Sequence, residues 1–250
     1  MIELSPLMTA LTATCDWHGA RITFVSQFLV ALIRVRTVTL TELATAFCGE
    51  AKSDSNDRRI QRFFKDCSLT RAQVVATVVQ WLPLGEKWRL CLDRTNWTFG
   101  RLNSTLLVLA VAYHGVAIPL LWGFLDTRGH SNSRERMALL KHFLCEFGRE
   151  RIQCLTADRE CIGTDWVNFL NRQRIRFRIR IKRNLLVSNP SGTSEMSAFR
   201  FFQNGRLNEA RRLSRPRRVW GLPVFVVGMR IKQDDLMLST NEAPETALDD

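Results

Sequence analysis

Two acidic residues interrupt apolar segments of this 250-residue chain. Asp93 lies within WRLCLDRTNWTFG, residues 88–100, where a buried strand would normally carry another apolar side chain. Asp158 follows a second apolar run in IQCLTADRE, residues 152–160. A buried carboxylate is costly unless a cation holds it, and two carboxylates that share a divalent ion can support phosphoryl transfer. Either Asp alone could simply cap a strand or begin a turn, but the pair predicts a site for Mg2+ or Mn2+.

Three segments of the chain resemble a known family. They are LCLDRTNWTFGRLNSTLLVLAVAYHGVAIPLLWGFLDTRGHSNSRERMALL, LTADREC and IRFRIRIKRN, of which DRTNW and LTADRE are the most specific parts. They are similar to the DDE transposases of bacterial insertion sequences, in the branch typified by insertion sequence four, and the similarity covers nearly the whole chain. The resemblance implies an RNase H-like core whose Asp, Asp and Glu bind two Mg2+ ions and cut and join transposon ends.

Asp93 and Asp158 match the first two carboxylates of that family. The family carries its Glu in a helical Tyr-Arg-Glu-Lys signature, which does not occur in this sequence before Asp250. We therefore expect a fragment that folds and binds DNA but is catalytically inactive. Glu160 is a conceivable extra ligand, whereas later acids such as Glu242 fall in a predicted insertion or loop.

The positive charge of the chain is concentrated in residues 172–218. That segment holds fourteen Arg or Lys against two Glu, a net charge of +12, which equals the net charge of the whole chain. Such a block is typical of a protein that binds the phosphate backbone, although it could also be a solvated face. The residues predicted to contact double-stranded DNA here are Arg176, Arg178, Arg180, Lys182, Arg217 and Arg218.

An alternating pattern is clearest in the segment IRFRIRIK, residues 175–182. Phe177, Ile179 and Ile181 alternate with cationic residues, which predicts a strand with one apolar face and one basic face. Like charges along a strand face repel unless an anion or carboxylates offset them, so DNA could stabilise this face. The alternative interpretation is an edge strand that its charges protect from aggregation.

The N-terminal region shows helical periodicity in four segments between residues 18 and 82. Phe63 and Phe64 in the third segment and Trp81 in the fourth are predicted to face inward, and Thr70 is predicted to begin the fourth helix. A short helix, a turn and a basic helix resemble a helix-turn-helix, with Arg58, Arg59 and Arg62 as candidate DNA contacts. Three Arg on an exposed helix are, however, often only solvated.

From residue 86 the pattern changes to strands and predicts the order βββαβαβ, which is the RNase H-like plan. The first helix of that order is predicted to be capped by Ser131 or Ser133 and to carry on one face Met137, Leu140, Leu144 and Phe147. We expect an α/β protein with a mixed sheet, divided into a helical DNA-binding domain (1–85), an RNase H-like core (86–183), and a β-rich insertion with an acidic tail (184–250). The uncharged segment Ser104–Leu125 has the length of a membrane span, but Tyr113-His114-Gly115 and Pro119 favour a buried hairpin.

Seven cysteines without a Cys-x-x-Cys pair, and an N-terminus without signal-peptide features, predict a cytoplasmic protein, and the resemblance implies that it is associated with the nucleoid. The leading hypothesis is a transposase that acts on transposon ends and target DNA, with a homodimer in the synaptic complex as a further expectation. An RNase H-like nuclease, a non-catalytic DNA-binding protein and, least favoured, a membrane protein are the alternatives.

Overall fold

The computed structural model describes residues 4–49, 51–66, 70–99, 102–125, 131–232 and 235–242. The chain divides into two compact units, Met1–Pro83 and Leu84–Asp250. The described part of the first unit is helical, and the second unit combines a sheet with helices. The protein is therefore a mixed α/β protein whose strand pairs are mostly antiparallel. Residues 86–183 and the following strands share one sheet, so the structure does not separate them into two units.

Helices of the first unit surround a small apolar core that includes Ile22, Phe24, Leu43 and Ile60. Their bounds are α1 (Ser5–Thr14), α2 (Gly19–Val35), α3 (Leu40–Thr45), α4 (Ser53–Asp66) and α5 (Arg71–Trp81).

Helix α1 was not among the helices that the sequence predicted. Threonine is a weak helix former, and the Thr9 and Thr12 hydroxyls donate hydrogen bonds to carbonyls one turn earlier. The helix is nevertheless formed because Leu11 is buried in the core of the unit. Tertiary packing here outweighs local propensity.

Two inward-facing residues were predicted wrongly in α4 and α5. Phe64 is 56% exposed and Trp81 is 39% exposed. Phe63 and Phe64 are neighbours on a helix of 3.6 residues per turn, and α4 turns Phe63 toward the core and Phe64 away from it. The predicted start of α5 is confirmed, because Thr70 and Gln73 form a reciprocal capping box there.

The second unit contains one sheet with the strand order β3-β2-β1-β4-β5-β11-β10-β9-β6-β7, and β8 pairs with β10. Strands β1, β4 and β5 are parallel neighbours, and the other described pairs are antiparallel. The strands are β1 (Trp88–Phe99), β2 (Leu102–Tyr113), β3 (Val116–Leu125), β4 (Ile152–Ala157), β5 (Phe177–Arg180), β6 (Leu186–Ser188), β7 (Glu195–Ser197), β8 (Ala210–Arg212), β9 (Arg217–Val219), β10 (Leu222–Arg230) and β11 (Asp235–Thr240). The helices are α6 (Ser133–Phe147), α7 (Thr164–Arg172) and α8 (Ala198–Phe202).

The segment from Ser104 to Leu125 forms the predicted hairpin. Tyr113 pairs with Val116, and the two turn residues have φ values of 46° at His114 and 81° at Gly115. A two-residue turn with both φ values positive matches the right-handed twist of the flanking strands. None of the helices in the described ranges is both long and apolar enough to cross a membrane.

Strand β5 lies inside the sheet, between β4 and β11. The edge-strand interpretation of its charges is therefore wrong. The predicted alternation is present, because Phe177, Ile179 and Ile181 are buried. On the other face Arg178 is also buried, at 9% exposure, and its Nε lies 3.2 Å from the Glu242 carboxylate. The Glu242 carboxylate therefore neutralises part of the positive charge on this face, for which the sequence had suggested DNA as the partner.

The N-terminus of α6 is capped by Asn132 rather than by the predicted Ser131 or Ser133. Asn132 and Glu135 form a capping box, in which each side chain accepts a hydrogen bond from the backbone of the other. The buried face of α6 is also turned relative to the prediction, because it includes Arg136 together with Leu139, Leu140 and Phe143.

Candidate active site

The two aspartates are brought together by the parallel pairing of β1 and β4. Leu90 pairs with Leu155, Cys91 with Thr156, and Leu92 with Ala157. The next position on each strand is Asp93 and Asp158. Because neighbouring strands lie roughly 4.8 Å apart, the two backbones are adjacent at this point of the sheet.

Alternation along the strands puts both carboxylates on the accessible face. Leu90 and Leu92 are buried on one face of β1, whereas Asp93 is exposed, so the predicted burial of this carboxylate is wrong and no burial cost requires a cation there. Paired residues of neighbouring strands share a face, and the Thr156 hydroxyl lies 3.2 Å from the Cys91 sulfur. Asp158 follows Thr156 by two positions and is also exposed. Extending the strand register by one residue therefore predicts that the two side chains share the polar face of the sheet.

The pKa of the buried Cys161 thiol is affected by the charges of the two aspartates. Burial raises the pKa of Cys161 from 9.0 to about 11, while Arg136 opposes this shift and the charges of Asp93, Asp158 and Glu160 add to it. These three carboxylates therefore act on one small region of the unit. Glu160 is itself held by Arg94, with Nη2 2.9 Å from its Oε2, which favours a structural role over metal binding.

Arg136 fixes the loop that follows Asp158. Its guanidinium donates hydrogen bonds to the carbonyl oxygens of Ser131 at 2.6 Å, Ile162 at 2.8 Å and Asn132 at 3.2 Å. The residue is 4% exposed, and burial lowers its pKa. The sequence analysis did not identify this residue, because a lone Arg on a helix normally faces solvent. The burial of Arg136 could have been inferred from its position in line with the apolar residues of α6.

The third carboxylate expected for a two-ion site is not brought to this pair by Glu242. Thr240 pairs with Arg178, and Arg178 pairs with Thr156, so Thr240 lies two strands and two residues away from Asp158. With strands ~4.8 Å apart and a rise of ~3.3 Å per residue, this separation is roughly 12 Å, and β11 continues away from the site. Glu245 lies outside the described residues.

The donor set fits one divalent cation. Mg2+ is commonly bound by one or two carboxylates together with water and substrate phosphates, and two neighbouring aspartates meet that requirement. Within the described ranges, the structure has no group of three or more His, Cys, Asp and Glu side chains placed to hold a metal ion. A second tightly held ion therefore has no complete set of ligands in this part of the chain.

The predicted DNA-binding residues have different environments. Arg58, Arg62, Lys182 and Arg218 are exposed, and the Arg176 side chain is 63% exposed. Arg180 is half-buried and occupies the position beside Asp158 in the register of β5 with β4. The remaining three make contacts within the chain: Arg178 is buried against Glu242, Arg59 packs over Phe24 and Phe47, and Arg217 packs over Phe201.

Comparison with protein-family models found no match, and comparison with curated proteins likewise found none. Two solved structures show a weak similarity to this chain. One is the cryo-EM structure of the simian T-cell lymphotropic virus intasome in complex with a PP2A regulatory subunit, with a TM-score of 0.35 and 13% identity over 65% of this chain. The chain spans 50% of the length of that matched chain.

The other is the crystal structure of endonuclease V from Bacillus subtilis. It is 8% identical, with a TM-score of 0.37, and the match covers 79% of this chain and 81% of that one. Both TM-scores are low, so neither similarity bears on the candidate site.

Proposed function

We propose that this chain belongs to a metal-dependent DNA-processing enzyme with an RNase H-like core, of the insertion-sequence transposase class. The observation that carries the proposal is the parallel pairing of β1 with β4 up to Leu92 and Ala157, the residues directly before Asp93 and Asp158. The order β3-β2-β1-β4-β5, with β2 antiparallel to both of its neighbours and β1, β4 and β5 parallel, is compatible with the predicted βββαβαβ plan and supports the proposal.

Each residue of the site has a distinct part in this proposal. A Mg2+ ion bound by Asp93 and Asp158 would supply Lewis-acid stabilisation of a phosphate oxygen and activate a water molecule or a 3'-hydroxyl. Arg180, beside Asp158 in the strand register, offers a planar cation for a neighbouring DNA phosphate. Arg136 positions the loop after Asp158 without contacting the substrate.

The metal site is tested by Mn2+ titration of the full chain. Asp93→Asn and Asp158→Asn remove one anionic ligand each and should lower Mn2+ affinity at least tenfold, with little change in melting temperature. Asp165→Asn, an exposed acid in the first turn of α7, is the matched control and should leave Mn2+ affinity unchanged. Equal Mn2+ affinity in all four proteins would refute the shared site.

A non-catalytic DNA-binding protein is the second candidate function. It is favoured by the two Glu that are engaged elsewhere, Glu160 with Arg94 and Glu242 with Arg178. Mn2+-dependent nicking of a plasmid separates the two candidates. Nicking that is abolished in Asp158→Asn supports the enzyme, whereas DNA binding without any nicking supports the binding protein.

A further inference from the structure

The helical unit contains a pocket between α2 and α4 that the metal site does not explain. It has a volume of about 390 Å3 and is lined by Ala20, Arg21, Phe24, Arg59, Arg62, Phe63 and Asp66. Its lining combines three guanidinium groups with two aromatic rings and one carboxylate. The volume falls within the roughly 300–1,000 Å3 typical of small-ligand sites.

One of the three cations is held in place by buried groups. Arg59 lies with its guanidinium carbon 5.5 Å from the Phe24 ring centre and 5.9 Å from that of Phe47, and its Nη1 donates a hydrogen bond to the Asn56 side chain at 3.2 Å. Asn56 is 4% exposed and donates to the Ala44 carbonyl at 3.3 Å. A guanidinium presents five N–H donors, so this contact leaves donors of Arg59 for a ligand.

The other two cations are exposed at the pocket and complete a basic rim. Arg62 lies one turn after Arg59 on α4, and Arg21 comes from the first turn of α2, 6.0 Å above the Trp17 ring. Asp66 reduces the net charge of the rim to +2. Guanidinium forks bind phosphate oxygens in a bidentate manner, so this rim fits one phosphate group.

The apolar side of the pocket is aromatic. The rings of Phe24 and Phe63 lie 4.8 Å apart, and Phe63 is half-buried at the pocket wall. A nucleobase can stack on an exposed aromatic face, whereas a phosphate in an intact duplex brings no free base to such a ring. A cationic rim beside an aromatic wall therefore fits a nucleotide better than it fits a duplex backbone.

We propose that this pocket binds one unpaired nucleotide of a DNA strand, with its phosphate at Arg21, Arg59 and Arg62 and its base against Phe63. This inference deepens the proposed DNA binding and rests on it. It differs from the helix-turn-helix interpretation, in which Arg58, Arg59 and Arg62 would act together. Of those three α4 residues, Arg59 and Arg62 line the pocket together with Arg21 of α2, whereas Arg58 is exposed elsewhere on α4.

The test compares a blunt duplex with the same duplex carrying a short single-stranded overhang, by fluorescence anisotropy with the full chain. Arg62→Ser should weaken overhang binding about tenfold while changing blunt-duplex binding little. Arg58→Ser removes the same charge from the same helix outside the pocket and should weaken both DNAs equally. Phe63→Leu keeps an apolar side chain but removes the stacking surface, so it should reduce the preference for the overhang.

The outcomes separate this inference from the proposed function. Equal losses for Arg62→Ser and Arg58→Ser on the overhang DNA, or no preference of the native chain for the overhang, would overturn the nucleotide pocket while duplex binding stands. The native chain could also bind the overhang DNA but not the blunt duplex. If Arg62→Ser then abolishes overhang binding, the result supports the pocket and overturns the proposed duplex binding. Circular dichroism verifies that each variant is folded. If Phe63→Leu is unfolded, Arg62→Ser decides the test, because Arg62 is exposed.

Discussion

Glu242→Gln should destabilise the sheet unit, because it leaves a buried cation without its carboxylate. The Arg178 side chain is 10% exposed and Glu242 is 6% exposed, with Nε and Oε2 3.2 Å apart. Removing one partner of a buried ion pair costs about 3–5 kcal/mol. The second cation, Arg176, is 63% exposed at 3.5 Å and contributes little, so the lower end of the range applies. For a unit of this size, ~3 kcal/mol lowers the melting temperature by roughly 6–12 °C.

Calorimetry of the melting transition of the sheet unit measures this effect. Glu209→Gln is the matched control, because Glu209 pairs with Arg206 at 4.0 Å on the surface, where both side chains are exposed. That variant should change stability by less than ~0.5 kcal/mol. The double variant Arg178→Met/Glu242→Met removes both charges and should recover most of the loss. If Glu242→Gln melts like Glu209→Gln, the buried pair does not stabilise β11 against β5.

The remaining predictions concern the thiol, the buried arginine and the basic face. Burial raises the pKa of Cys161 to about 11 in the folded protein. The neutral thiol therefore contributes its full stabilisation below pH 9, and the free energy of unfolding should fall by up to ~2–3 kcal/mol as the pH rises from 9 to about 11. Cys161→Ala should flatten the fall in melting temperature over that interval, and an unchanged profile would contradict the assignment. Arg136→Lys cannot reproduce three carbonyl contacts, so it should lower Mn2+ affinity and speed hydrogen exchange near Ile162, whereas exchange at the native rate would exclude this role. Lys182→Ser should reduce the slope of log affinity for DNA against log salt by about one, and an unchanged slope would remove Lys182 from the DNA-binding surface.

Much of the sheet unit could be predicted from the sequence because its signals are local. The turn at His114-Gly115, the alternation around Ile179 and the acids that follow apolar runs each reflect the preferences of a few neighbouring residues. The adjacency of Asp93 and Asp158 could be inferred from the resemblance, although their spacing alone does not fix it. The pairing of β1 with β4 supplies it.

The features that were missed depend on contacts between distant segments. Nothing in the local sequence indicates that Glu242 returns to Arg178, 64 residues earlier in the chain. The burial of Arg136 likewise depends on the Ile162 carbonyl, 26 residues away. The pocket of the helical unit requires Arg21 and Arg62 to face each other across two helices, which periodicity on one helix cannot show.

The position of β11 has a consequence for synthesis on the ribosome. Strand β5 ends at Arg180, but the strand that covers its second side is complete only at Thr240. At roughly 5–20 residues per second, the intervening 60 or so residues take about 3–12 s to make. During that interval the growing chain carries a strand rich in apolar residues with one side unpaired, and an uncovered edge is a template for association with other chains. We expect the cations of β5 to repel neighbouring nascent chains during that interval. Once Glu242 has been synthesised, it forms the buried ion pair with Arg178.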